Sequence, residues 1–322
     1  MKTNRMNRII VMVALLGGML AGCQPIEEID TQEIVPGNAG KDGYTLTIEA
    51  VKSTGTKAMA LNGTELNTYW KSGEKVGLYV NGVYKCQLTA TPNNTDPKKA
   101  TLRGTLASLD GITAGQTMTL LYPDREDITK GTKWDYTGQT GEAPNAEGTG
   151  DLSAKYDYAT AMLAIDAVDN VNKKVTTTGV ATFQNEQSMF RFIFNDGQGA
   201  MTVKSITVST ANESLVRSLQ VKGTQAPAPT YGSITLDPSS IPGKSLYAPA
   251  DGYYYFSLRN ETNKNTDTFK FSLVGSDDKL YSGTKAITSK LSYGKFYSEA
   301  ITVTATAFLP INTAIDDPNA VL

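Results

Sequence analysis

The feature that most constrains this chain is a repeated local pattern. Short stretches alternate apolar and polar residues, and turn formers cut them apart. In YTLTIEAV, residues 44–51, Tyr44, Leu46, Ile48 and Ala50 fall on one face. EKVGLYV and YKCQLTA flank Asn81-Gly82, the strongest short hairpin signal. KATLRGTL, TMTLLYP, VATFQN, SMFRFIFND, MTVKSITVST, GSITLD, GYYYFSL, TFKFSLVG and AITVTATAF continue the pattern. A period of two lines one face of a strand, whereas a helix needs a period near 3.6. Only SAKYDYATAMLAIDAV admits a helix, and it reads equally as a loop followed by a strand. There are no heptads and no repeat of solenoid length. Many short strands with Gly and Pro punctuation predict an all-β chain of sandwiches or barrels.

Ahead of the first strand lies a different kind of segment. Lys2, Arg5 and Arg8 precede an apolar run from Ile9 to Leu20, the size of a signal-peptide core. The run is short of the ~20 apolar residues that span a bilayer, and no later segment comes near that length. The run ends in LAGC, which resembles the lipobox of bacterial lipoproteins. That resemblance implies that residues 1–22 are a signal peptide, with cleavage before Cys23 and acylation of its sulfur and amine. Residues 23–43 then read as an acidic tether. Glu27, Glu28 and Asp30 resemble the export tags of Bacteroidetes surface lipoproteins, which implies a place on the outer face of the outer membrane.

The remaining length suits two domains of about 150 residues each. The polar stretch DNVNKKVTTTG lies between two strand-rich halves, so a division is expected at 174/175. KGTQAPAPTYG reads as a loop inside the second domain. A net charge of −2 lacks the basic face that nucleic-acid binding needs. With Cys23 acylated, Cys86 has no disulfide partner, and the alternation of VYKCQL makes it a small core residue.

The chain contains 0 histidines, which removes Ser-His-Asp and Cys-His catalysis and His-bearing zinc sites. No phosphate-binding glycine loop is present. No cofactor and no enzymatic activity are expected. A carboxylate pair of the glycosidase kind remains conceivable from Asp124, Glu126 and Asp127. Trp134 and Tyr136 follow them and suggest an aromatic platform for a sugar. The alternative is a solvated loop whose aromatics cover a sheet edge. GSDDKL and IDDPN carry adjacent acids but fall far short of a calcium ligand set.

Several longer stretches resemble one family in order and spacing. TKAMALNGTELNTYWKSGEKVGLYV, with Thr56, Lys57, Trp70, Gly73, Glu74 and the strand Val76–Tyr79, is similar to the start of the mature region in the fimbrillin-like lipoproteins of Bacteroidetes, the type V pilins. DLSAKYDYATAM resembles the segment before that family's domain junction. VATFQNEQSMFRFIFN is similar to the strand pair opening its second domain, and YGKFYSEAITVTA to its closing strand. The resemblance implies two transthyretin-like β-sandwich domains in tandem, at residues 44–174 and 175–307, followed by a tail at 308–322.

It also implies a mechanism. A lipoprotein precursor reaches the surface, a protease removes its first strand, and the C-terminal strand of another subunit fills the groove. Such strand addition supplies core side chains in trans. Here the removable strand and loop would be residues 44–57, with Lys52 and Lys57 as the basic residues at which a cut could fall. The donor tail is legible in the alternation: Ile301, Val303, Ala305, Ala307, Leu309, Ile311 and Ile315 share one face. That is longer than the ~5–6 residues of an ordinary strand, and Pro310 divides it. Residues 297–307 are expected to complete the second domain. Leu309, Ile311 and Ile315 would enter a neighbour, with Phe308 plugging a separate pocket. The implied role is a structural subunit of surface fimbriae, supporting adhesion, with other pilin subunits and the outer membrane as partners. The alternative is a monomeric surface lipoprotein or fimbrial tip that binds glycan or host protein.

Overall fold

The computed structural model describes residues 43–52, 60–62, 65–67, 69–124, 132–143, 152, 155–221, 228–236, 251–261, 266–288 and 291–306. These residues form an all-β structure of two sheet-built halves belonging to one compact unit.

The first half begins with β1 (Tyr44–Lys52) and continues through β4 (Lys75–Val80), β5 (Val83–Pro92), β6 (Lys99–Leu106), β7 (Thr117–Tyr122), β9 (Ala159–Asp169), β10 (Lys174–Thr177) and β11 (Ala181–Asn185). The short β2 (Ala60–Asn62) and β3 (Glu65–Asn67) pair only with each other. Neighbours run β10-β1-β11-β9-β7-β4-β5-β6, and β1 also pairs with β6. The sheet therefore closes on itself into a barrel, which removes its edges. Asn81-Gly82 forms the expected turn, with both residues at positive φ, 47° and 69°. Inside the barrel sit Leu46, Ile48, Leu78, Leu88, Leu102, Leu120, Leu163 and Phe183, all buried.

The second half contains β12 (Ser188–Asn195), β13 (Val203–Thr210), β16 (Ile234–Leu236), β17 (Tyr254–Leu258), β18 (Asp267–Gly275), β19 (Leu280–Ile287) and β20 (Phe296–Ala305) in one curved sheet. Its order is β16-β13-β18-β19-β20-β12-β17. β20 runs parallel to β12 from Met189↔Phe296 to Asn195↔Thr302, and its end pairs antiparallel with β19. Gly283 permits that switch of partner, because a Cβ there would stand 2.7 Å from the Thr302 carbonyl oxygen. Phe190, Phe192 and Phe194 of β12 face the core with Phe269 and Phe271, and the Phe192 and Phe271 rings meet edge to face at 4.9 Å. Each such burial stabilises the half by about 1.5–3 kcal/mol.

A third sheet crosses between the halves. It consists of β8 (Thr132–Asp135), β14 (Val216–Val221) and β15 (Ala228–Tyr231), in the order β15-β14-β8. β8 comes from the first half of the sequence but pairs with β14 of the second, with Trp134 opposite Leu219.

Two expectations need correction. The division at 174/175 cuts through the barrel, because β10 and β11 both pair with β1 and β9. The polar stretch at 169–173 is an exposed hairpin turn, in which the Asp169 carboxylate accepts from the Val171 and Asn172 amides at 2.9 and 3.0 Å. The change of sheet falls at Glu186 and Gln187, between β11 and β12, so VATFQN ends the first half and SMFRFIFN opens the second. The all-β reading in two sheet-built halves holds, and the first half closes into a barrel. Of the two readings of SAKYDYATAMLAIDAV, the strand is realised in β9, with Ala159, Ala161, Leu163 and Ile165 pointing inward.

Candidate functional site

The strand expected to be exchangeable is the one that closes the barrel. On one flank β1 pairs antiparallel with β6 from Tyr44↔Leu106 to Val51↔Lys99. On the other flank it runs parallel to β10 at Thr45 and Leu46, and to β11 from Ala50 to Lys52. No other strand bridges these flanks among the described residues. Leu46, Ile48 and Ala50 point inward and are 0–2% exposed.

Lys52 continues that inward series and is 2% exposed. Its ammonium donates to Glu74 Oε2 at 2.9 Å and to the Tyr69 carbonyl at 3.1 Å. It also lies 3.9 Å from the centre of the Trp70 ring and 4.7 Å from that of Tyr122. The Tyr122 hydroxyl donates to Glu74 Oε1 at 2.9 Å. Burial, and then the Glu74 charge, hold the Tyr122 phenol well above its ordinary pKa. Trp70 in turn packs edge-on against Phe183 of β11. One cluster thus joins the end of β1 to β7, β11 and the approach to β4. A buried charge is tolerated only when paired and hydrogen-bonded, and here both conditions are met.

This corrects the expectation for Lys52. A protease needs several exposed, extended residues, and Lys52 is enclosed by two aromatic rings and a carboxylate. Lys57 lies outside the described residues, as do Cys23, Phe308, Leu309, Ile311 and Ile315. In β20, Ile301 and Val303 are buried while Thr302 and Thr304 are exposed, as the alternation requires, but Ala305 is already exposed.

The aromatic platform is also corrected. Trp134 is 1% exposed and Tyr136 0%. Both belong to the core of the second half, where Trp134 stacks on Tyr158 at 5.1 Å. The segment that carries them is an arm that fills and borders the second half. Gln139 donates to the Ser257 carbonyl at 2.9 Å and accepts from the Ser257 amide at 2.7 Å. The Tyr255 amide donates to the Gly141 carbonyl at 3.0 Å. A side-chain amide thereby serves as a strand neighbour for β17. Asp124 accepts from the Tyr84 hydroxyl at 3.1 Å and the Gln87 amide at 2.8 Å. Glu126 and Asp127 lie outside the described residues.

Arg259 fastens the joint between the halves. It donates to Glu186 Oε2 at 2.6 Å and, through Nε, to Glu261 Oε1 at 2.8 Å. Glu186 also accepts from the Thr160 hydroxyl of β9 at 2.6 Å. Cys86 is buried in the barrel wall, and desolvation, then the Asp124 charge, push its thiol up to about 12. Among the described residues no three or more His, Cys, Asp or Glu are grouped so as to hold a metal ion. No helix among them is long and apolar enough to cross a membrane.

No protein-family model matches the sequence. No curated protein matches it either. Solved structures are similar over most of its length. A cell-adhesion candidate from Bacteroides uniformis is 12% identical with a TM-score of 0.42, covering 81% of this chain and 97% of that one. One from Bacteroides ovatus is 13% identical with a TM-score of 0.41, covering 82% and 96%. The tip fimbrial protein Mfa3 of Porphyromonas gingivalis is 9% identical with a TM-score of 0.32, covering 74% and 80%. At such identities and TM-scores a likeness carries no inference about activity. The structures this chain is similar to include Bacteroides and Porphyromonas cell-adhesion and fimbrial proteins.

Proposed function

We propose that this chain is a structural subunit of cell-surface fimbriae, exported as a lipoprotein through Cys23 and polymerised by strand exchange. The observation that carries the reading is the position of β1: the first described strand closes the barrel, paired on both flanks, with no other described strand bridging them. Its loss would bare the edge of β6 and an apolar slot once filled by Leu46, Ile48 and Ala50. Backbone pairing supplies affinity in such a slot and alternate side chains supply register. The tail at 308–322 carries the matching alternation, with Leu309, Ile311 and Ile315 on one face. Processing is assigned to the stretch after β1, at Lys57, since Lys52 is enclosed. The alternative of a monomeric binder is left without its Trp134 and Tyr136 platform. Removing residues 308–322 tests the proposal. Electron microscopy should then show subunits on the surface without fibres, and undiminished fibres would contradict it.

A further inference from the structure

β12 leads away from the joint between the halves and ends in the loop 196–202. Beside this loop lies the turn 275–279, between β18 and β19. The two border an open cleft of about 390 Å³ whose wall includes Asp196, Gln198, Thr202, Ser276, Asp277 and Tyr281. Loops held at the end of a strand scaffold are where recognition residues concentrate, and cavities of ~300–1,000 Å³ hold small ligands.

The cleft is set up by specific contacts. The Ser276 amide donates to the Thr202 carbonyl at 3.1 Å, which ties the loop to the turn. At the base of the loop, the Val203 amide donates to the buried Tyr254 hydroxyl at 3.0 Å. Asp196 accepts from the Gln198 amide at 2.8 Å, which fixes the loop's entry. Asp277 accepts from the Tyr281 hydroxyl at 3.0 Å and pairs with Lys279 at 3.0 Å. Gly275 makes this arrangement possible, since a Cβ there would stand 2.5 Å from Asp277 Oδ1 and 2.8 Å from the Tyr281 ring.

The lining selects a chemical class. Among the described residues the lining side chains include two carboxylates and no cation, and the neighbouring Lys279 ammonium is already paired with Asp277, so a phosphate or carboxylate ligand would meet like charge. The wall is too polar for an apolar ligand, whose burial would strand carboxylates and hydroxyls. A cation would need more free oxygens, and Asp277 already holds an ammonium. What remains is a neutral polyol. Carboxylate and amide side chains on facing loops accept from and donate to vicinal hydroxyls, in charge-assisted hydrogen bonds. Met201 and Tyr281 also line the cleft.

We propose that this cleft binds a neutral hexose, the terminal residue of a surface glycan. This gives the adhesive part of the proposed function a ligand class and rests on surface display, but not on strand exchange. The test uses the purified full chain and the methyl glycosides of mannose, galactose, glucose and N-acetylglucosamine, with saturation-transfer NMR and titration. At least one glycoside should show transfer from the protein. Asp196→Asn and Gln198→Ala, both on the exposed loop, should each weaken its binding at least tenfold without changing the melting temperature. Met162→Ser, on the outer face of β9, should leave binding unchanged. No transfer from any of the four overturns the proposal, as does equal binding by the loop variants. Fibre formation, followed separately, is expected to be normal in all these variants, so a failure here leaves the assembly reading standing.

Discussion

Lys52 shows what a single residue contributes and why its role was half legible. Even positions from Leu46 to Ala50 face inward, so extending the same period by one step places Lys52 in the core. A lysine in a loop-adjacent position reads just as readily as an exposed protease target. Its true partners, Glu74, Trp70 and Tyr122, lie 18 or more residues away in sequence and converge only when the barrel closes. Lys52→Met should destabilise the fold by about 2–3 kcal/mol in urea denaturation, because the half-buried Glu74 loses its charge partner and keeps only the Tyr122 hydroxyl and the Lys71 amide. The double variant Lys52→Met, Glu74→Gln should recover part of that loss. Equal stability of Lys52→Met and the natural chain would contradict the buried pair. Trp134 carries the opposite lesson. An aromatic near acids suggested a sugar platform, but alternation within so short a segment does not say which sheet it joins. Trp134→Ala should cost about 3–5 kcal/mol, as for other large core truncations, and leave sugar binding unaltered.

Among elements, the strands were the most legible feature, because a period of two is local and every buried face must obey it. Pairing across the barrel was not legible. The parallel alignments of β1 with β10 and β11, and the crossing of β8 into the second half, join segments distant in sequence. The polar turn at 169–173 imitated a linker for the same reason: a solvated hairpin and a domain connection have the same composition. If β1 must leave for assembly, a covalent tie to β6 should prevent it. Thr47 and Arg103 face each other across that pair and are exposed. A Thr47→Cys, Arg103→Cys variant, once oxidised, should yield no fibres, and reductant should restore them. Fibres from the oxidised form would show that β1 stays in place.

For the whole molecule, the barrel wall carries its own probe of opening. The Cys86 thiol ordinarily titrates at 9.0, and burial raises it to about 12 in the folded chain. The raised value means that the folded state holds its proton more tightly than the unfolded state. Its contribution to stability is therefore complete below pH 9 and is lost as pH rises from 9 towards 12. Tyr84 and Tyr122, both raised by burial first, act in the same direction at still higher pH. Urea midpoints should fall between pH 9 and 11, and Cys86→Ala should reduce that fall. At pH 8 the thiol should react with a thiol reagent only at the rate of barrel opening, since thiolate is the reactive form. Rapid labelling of Cys86 itself would contradict the closed barrel.

The central claim is that β1 completes the precursor and is absent from the assembled form. The N-terminal residue of the chain recovered from surface fibres tests it most directly. The account predicts a start beyond Lys52, at or near Ala58, with β1 and the acylated Cys23 gone. Fibres built of chains that still begin at a lipid-blocked Cys23 and retain residues 44–52 would contradict it.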